Sequence, residues 1–71
     1  MKYLVVVEKS ETGFGAYVPD LPGCVAAGAT RDEAMQLIQE AIEFHIEGLK
    51  AAGEPVPAPS SQGEFVDVHA A

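Results

Sequence analysis

The 71-residue sequence predicts a small α+β domain of order βββαβ, one helix packed on one face of a four-stranded mixed sheet. Three observations carry this. An apolar run from Tyr3 to Val7 leads into the turn sequence Ser10-Glu11-Thr12-Gly13. A single long amphipathic stretch opens at a helix-capping signal, and an alternating segment, Glu64 to Val68, follows a proline-rich connection. The whole chain, residues 1–71, reads as one domain.

Lys2 to Lys9 is the first predicted strand, with Tyr3, Val5 and Val7 on one face and Leu4 and Val6 on the other. Apolar residues on both faces predict a central strand. The turn at Ser10–Gly13 leads to a second strand, Phe14 to Val18, so the two form a hairpin. That strand stops in Tyr17-Val18-Pro19-Asp20-Leu21-Pro22-Gly23-Cys24. Pro19 and Pro22 fix φ and remove backbone donors, and Gly23 permits the geometry of a reversal. A short third strand of small residues, Cys24 to Ala29, follows. Thr30 and Glu33 stand in S/T-x-x-E spacing, with the hydroxyl set to accept the N–H of Glu33 and the carboxylate to reach back to the N–H of Thr30. The helix therefore starts at Arg31 and runs to about Ala52, where Gly53 suits a left-handed cap and Pro55 and Pro57 stop continuation. Its apolar positions cover an arc of about 200°, against about 100° for a helix lying on one sheet. Leu37 and Phe44 form the excess flank and are candidates for a subunit interface. After the extended connection from Glu54 to Gln62, the last strand offers Phe65, Val66 and Val68 to the core and returns parallel to the first by a right-handed crossover.

Composition narrows the function. Eleven acids against four bases give a formal net charge of −7, and the bases Lys2, Lys9, Arg31 and Lys50 are scattered. Direct binding to nucleic acid needs a basic patch and is disfavoured, whereas a basic protein partner is favoured by charge steering. One cysteine allows no internal disulfide, and no Cys/His cluster marks a metal site. No cofactor is expected. No apolar run approaches the ~18 residues of a membrane span, and the first residues lack the form of a secretory signal, so the expected location is cytoplasmic. A chain this short sits near the limit at which a core alone offsets chain entropy, which predicts a homodimer or tetramer.

The run from Tyr17 to Cys24, together with Gly28, Thr30, Glu33-Ala34, Ala41-Ile42, His45, Gly53-Glu54-Pro55-Val56-Pro57 and Pro59, resembles the HicB antitoxin family. The resemblance covers nearly the whole chain. It implies a partial RNase H-like βββαβ domain that binds a small basic toxin, HicA, an mRNA-cleaving enzyme with a catalytic histidine, and masks its active site. The longer family members carry a DNA-binding segment after the last strand, whereas here His69, Ala70 and Ala71 follow it, so direct DNA binding is not expected of this chain. The alternative expectation is an orphan HicB-like module that binds another protein or a small ligand.

Several residues are candidates for more than packing. An RNase H-like topology raises the possibility of a nuclease, which needs carboxylates converging on two divalent metals. Glu8 lies at the end of the first strand and Asp67 on the last, while Glu40 and Glu43 fall on the helix face assigned to solvent, so no enzymatic activity is expected. Asp20 is expected to cap its own turn, with partner contact as the alternative. The acidic face of Asp32, Glu40, Glu43 and Glu47 reads as a solvated surface or as the receptor for a basic toxin. His45 projects from the apolar arc and is read as a neutral, hydrogen-bonded core residue. Cys24 is read as a small packed side chain. Pro19, Pro22, Gly23, Thr30, Glu33 and His45 make up the structural motif.

Overall fold

A tight four-residue loop starts the sheet. Ser10 donates its backbone N–H to the Gly13 carbonyl at 2.8 Å, and its Oγ accepts the Gly13 N–H at 3.1 Å. In the computed structural model, which describes residues 1–70, this loop joins β1 (Val6–Lys9) to β2 (Phe14–Tyr17), with Lys9 opposite Phe14 and Val6 opposite Tyr17. A third antiparallel strand, β3 (Val25–Gly28), pairs with β2, and the helix α1 (Arg31–Ala51) follows. The sheet order is β1-β2-β3.

The first strand is shorter than its apolar run because of its partner. Val6 pairs with Tyr17, so any residue before Val6 faces the turn that begins at Val18-Pro19, where there is no extended backbone to meet. Residues 2–5 lie outside the sheet, and β1 is an edge strand rather than the expected central one.

The corner after β2 is two consecutive turns. Leu21 donates to the Val18 carbonyl at 3.1 Å and Cys24 donates to the Leu21 carbonyl at 3.0 Å, which places Pro19 and Pro22 second in their turns. Gly23 has φ +83°, the left-handed value that the third position of a type II turn requires. Leu21, between the turns, points inward and is fully buried.

Both helix ends are capped as their residues dictate. Thr30 is extended, and its Oγ1 accepts the Glu33 N–H at 3.1 Å. The Glu33 carboxylate accepts from Ala29, at 3.0 Å, and not from Thr30 as the spacing predicted. Asp32 and Glu33 in the first turn and Lys50 in the last oppose the partial charges of the helix ends. At the far end Glu54 donates to the Leu49 carbonyl and Gly53, at φ +70°, donates to that of Lys50, the paired bonds of a Schellman motif.

The core is small: Ala16, Val18, Leu21, Cys24, Ala34 and Ile38. Tyr3, Val5 and Val7 pack against it, so one face of the apolar run turns inward as expected. His45 is half-buried on the helix face toward the sheet rather than fully enclosed.

The fourth strand is the main correction. Among the described residues the sheet has three strands, and residues 52–70 form no strand. Phe65, Val66 and Val68 are 106, 78 and 79% exposed rather than in the core. The segment stays extended without pairing with either edge of the three-stranded sheet. Residue 71 lies outside the described residues.

Candidate functional site

The Pro-Gly corner positions Asp20, and Asp20 positions the chain that follows the helix. Its Oδ2 accepts the backbone N–H groups of Ser60 and Ser61, both at 2.9 Å, while its Oδ1 accepts their hydroxyls at 3.1 and 2.8 Å. These bonds, the backbone N–H of Ser61 foremost, hold the Asp20 carboxyl down at a pKa of about 2. Asp20 thus clamps a segment forty residues away, not its own turn as the sequence predicted. The Tyr3 hydroxyl adds a second tie by donating to the Pro57 carbonyl.

On α1 the structure brings together most of the acidic candidates. Asp32, Glu40, Glu43 and Glu47 are all exposed and share the face turned away from the sheet. Leu37 and Phe44, seven residues apart and so on one line along the helix, border that face at 39 and 79% exposure. The result is an apolar ridge edged by carboxylates. Asp20 does not join it, since its oxygens are engaged inside the chain.

The other flank of α1 faces residues 1–5. There Met1, Tyr3, Ile42 and Ile46, with Gln39 and Glu43 at the rim, line an open groove of about 320 Å³. A second uncovered surface lies on the sheet face away from the helix, where Val6, Tyr17 and Val25 form one cross-strand row, with Tyr17 and Val25 40 and 65% exposed.

The remaining candidates have simple environments. Cys24 is buried, and burial pushes its thiol pKa up, which keeps it protonated and disfavours a nucleophilic role. Glu8 ends β1 on the surface, and Asp67 lies on the exposed segment rather than on a strand. Among the described residues no three His, Cys, Asp or Glu side chains converge as metal ligands. No helix is long and apolar enough to cross a membrane. Sequence reasoning missed Ser60 and Ser61, whose only signal is a serine pair after a proline-rich run. It also missed Leu21, whose place between two prolines spaced as turn residues was the available sign.

Residues 3–69 match the family model described as the HicB-like antitoxin of bacterial toxin-antitoxin systems. Antitoxin HicB 2 of Photorhabdus laumondii is 37% identical over 99% of this chain and 51% of its own length. A protein of Haemophilus phage HP1 is 40% identical over 94% of this chain and 50% of its own length. A UPF0150 protein of Thermoplasma acidophilum is 44% identical over 99% of this chain and 100% of its own. The chain thus spans about half the length of the first two relatives and all of the third. Among solved structures, a HicA3 and HicB3 toxin-antitoxin complex contains a chain that matches 84% of this one with a TM-score of 0.72 and 37% identity, over 70% of that chain.

Proposed function

Because the chain belongs to the HicB-like antitoxin family, we propose that it binds and masks a small basic HicA-type mRNA-cleaving toxin, with no chemistry of its own. The observation that carries this reading is the likeness, at 37% identity, to a chain of a HicA3 and HicB3 complex. An acidic chain of net charge −7 meeting a basic ribonuclease gains attraction at long range, and the shape of the partner then excludes RNA from the toxin.

Glu40, Glu43 and Glu47 are the proposed contacts for the basic partner, because they are exposed on one stripe of α1 that runs between the Leu37–Phe44 ridge and the groove rimmed by Glu43. Asp20 contributes by fixing the connection at Ser60 and Ser61 rather than by touching the toxin. Leu37 and Phe44 are the proposed contact between copies in a homodimer or larger oligomer. The described domain acts in the cytoplasm, and its net charge of −7 disfavours direct contact with nucleic acid.

The test is a binding isotherm against a HicA-type toxin at low and high salt. Reversing Glu43 and Glu47 to lysine is expected to weaken binding by about tenfold and to flatten its salt dependence. Unchanged affinity and salt dependence would remove the acidic stripe from the interface.

A further inference from the structure

We propose that residues 54–63 are a strap latched by Asp20, which holds residues 2–4 against α1 and so sets the surroundings of Glu43 for the basic partner. The link to Glu43 rests on the antitoxin reading, and it adds a residue that acts on that surface from a distance.

Residues 2–4 need such a strap because no strand holds them. Val6 is the first residue paired with β2, and the chain before it lies outside the sheet. Tyr3 and Val5 touch the core from one face, but the polar end of Tyr3 and the side chain of Leu4 meet the strap. The Tyr3 hydroxyl donates to the Pro57 carbonyl. Gly63 passes so close to Leu4 that a Cβ there would lie 3.3 Å from the leucine Cδ1.

The strap is stiff between two anchors. At its start the helix cap fixes it, through the bonds of Gly53 and Glu54 to Lys50 and Leu49. Pro55, Pro57 and Pro59 then fix φ at every second residue, so the unlatched strap has little freedom to lose on docking. Val56, Pro59 and Ser61 are half-buried while the residues around them are exposed, so one side of the strap lies on the body. Among the described residues, every hydrogen bond between residues 55–63 and the rest of the chain involves Tyr3 or Asp20. Asp20 supplies four of them, and the Pro-Gly corner that carries it is closed by its own backbone bonds and by buried Leu21. Removing the latch therefore frees the strap and leaves the body folded.

Tyr3 carries the effect to the partner surface. With Ile42 and Ile46 it lines the groove that has Glu43 at its rim. Lys2 rides on the same segment, one residue before Tyr3. Held by the strap, that ammonium is kept in place; released, it is free to approach Glu43 and compete with the basic partner for it. Asp20 is thus a positioning residue, since its own oxygens stay engaged inside the chain.

The experiment compares the full chain with Asp20→Asn, Tyr3→Phe and the pair. Asparagine keeps the size but brings an NH2 donor in place of one acceptor oxygen, and phenylalanine keeps the ring without the hydroxyl. In Asp20→Asn the 15N order parameters of Ser60, Ser61 and residues 2–4 are expected to fall from about 0.85 to below about 0.6, with those of Ala34 to Ile38 unchanged. Against a HicA-type toxin each substitution is expected to weaken binding about fivefold, and the pair about fivefold rather than about 25-fold, because both open one strap. Thr30→Ala, which removes a helix cap and leaves the strap alone, is expected to bind as the wild type does. Residues 2–4 that stay rigid in Asp20→Asn, a freed strap with unchanged affinity, effects that multiply, or an equal loss in Thr30→Ala would each overturn the proposal. A wild type that binds no toxin while Asp20→Asn still frees residues 2–4 would support the strap and overturn the antitoxin reading instead.

Discussion

On its β3 side the chain closes on itself, and on its β1 side it stays open. Between Tyr17 and Glu33 a short stretch supplies two turns, a buried leucine, a strand whose inner face packs on the helix and a capped helix start. Around β1 the same chain leaves an unpaired edge, an open groove and an apolar arm in solvent. The closed side needs only partners a few residues away, while the open side requires backbone and apolar surface from elsewhere. That division puts the locally satisfied structure at the Pro-Gly corner and helix start, and the uncovered apolar surface around β1.

The largest effect expected from breaking the contrast is at Leu21. Leu21→Ala empties a fully buried site in a core of six residues and is expected to cost about 2–5 kcal/mol in urea unfolding, much of what so small a domain has. The matching truncation Phe65→Ala, made in the Phe44→Asp chain, is expected to change stability by less than about 0.5 kcal/mol. Comparable costs at the two sites would mean that the arm packs within its own chain.

A smaller effect belongs to the helix start. Thr30→Ala leaves the Glu33 N–H without its acceptor and is expected to lower stability by about 1 kcal/mol, read as a shifted urea midpoint at constant slope.

The smallest sharpens the link between the two sides. The Asp20 carboxyl has a folded pKa of about 2 against an ordinary value of 3.8, so its clamp is complete above 3.8 and is lost as pH falls through about 2. The amide resonances of Ser60 and Ser61 are expected to titrate together with a midpoint near 2, a step that Asp20→Asn abolishes. A midpoint near 3.8 would show that the clamp does not hold in solution.

The sequence made the closed side legible because its signals are local. Pro19, Pro22 and Gly23 predicted the corner, Thr30 and Glu33 the helix start, and Gly53 its end, all through hydrogen bonds spanning a few residues. The apolar run before Val6 was read as strand because alternation shows which faces are apolar and not whether a neighbour exists. The same blindness made residues 64–68 a fourth strand. The Asp20 clamp joins residues forty apart, and an aspartate in a turn looks the same whether it caps that turn or reaches across the fold. Of the candidate site, the acidic stripe and the Leu37–Phe44 ridge were legible because helical period alone places them. The groove was not, since it exists only where Tyr3 comes to lie beside Ile42 and Ile46.

The central claim is tested most directly by purifying the tagged chain from its native host at low salt and assaying the RNA-cleaving activity of its companion with and without the chain added back. The account predicts a stoichiometric basic ribonuclease that cleaves RNA alone and is silenced at one equivalent. A clean homo-oligomer with no companion, or a companion whose RNA cleavage the chain does not touch, would contradict the antitoxin role and leave an orphan HicB-like module in its place.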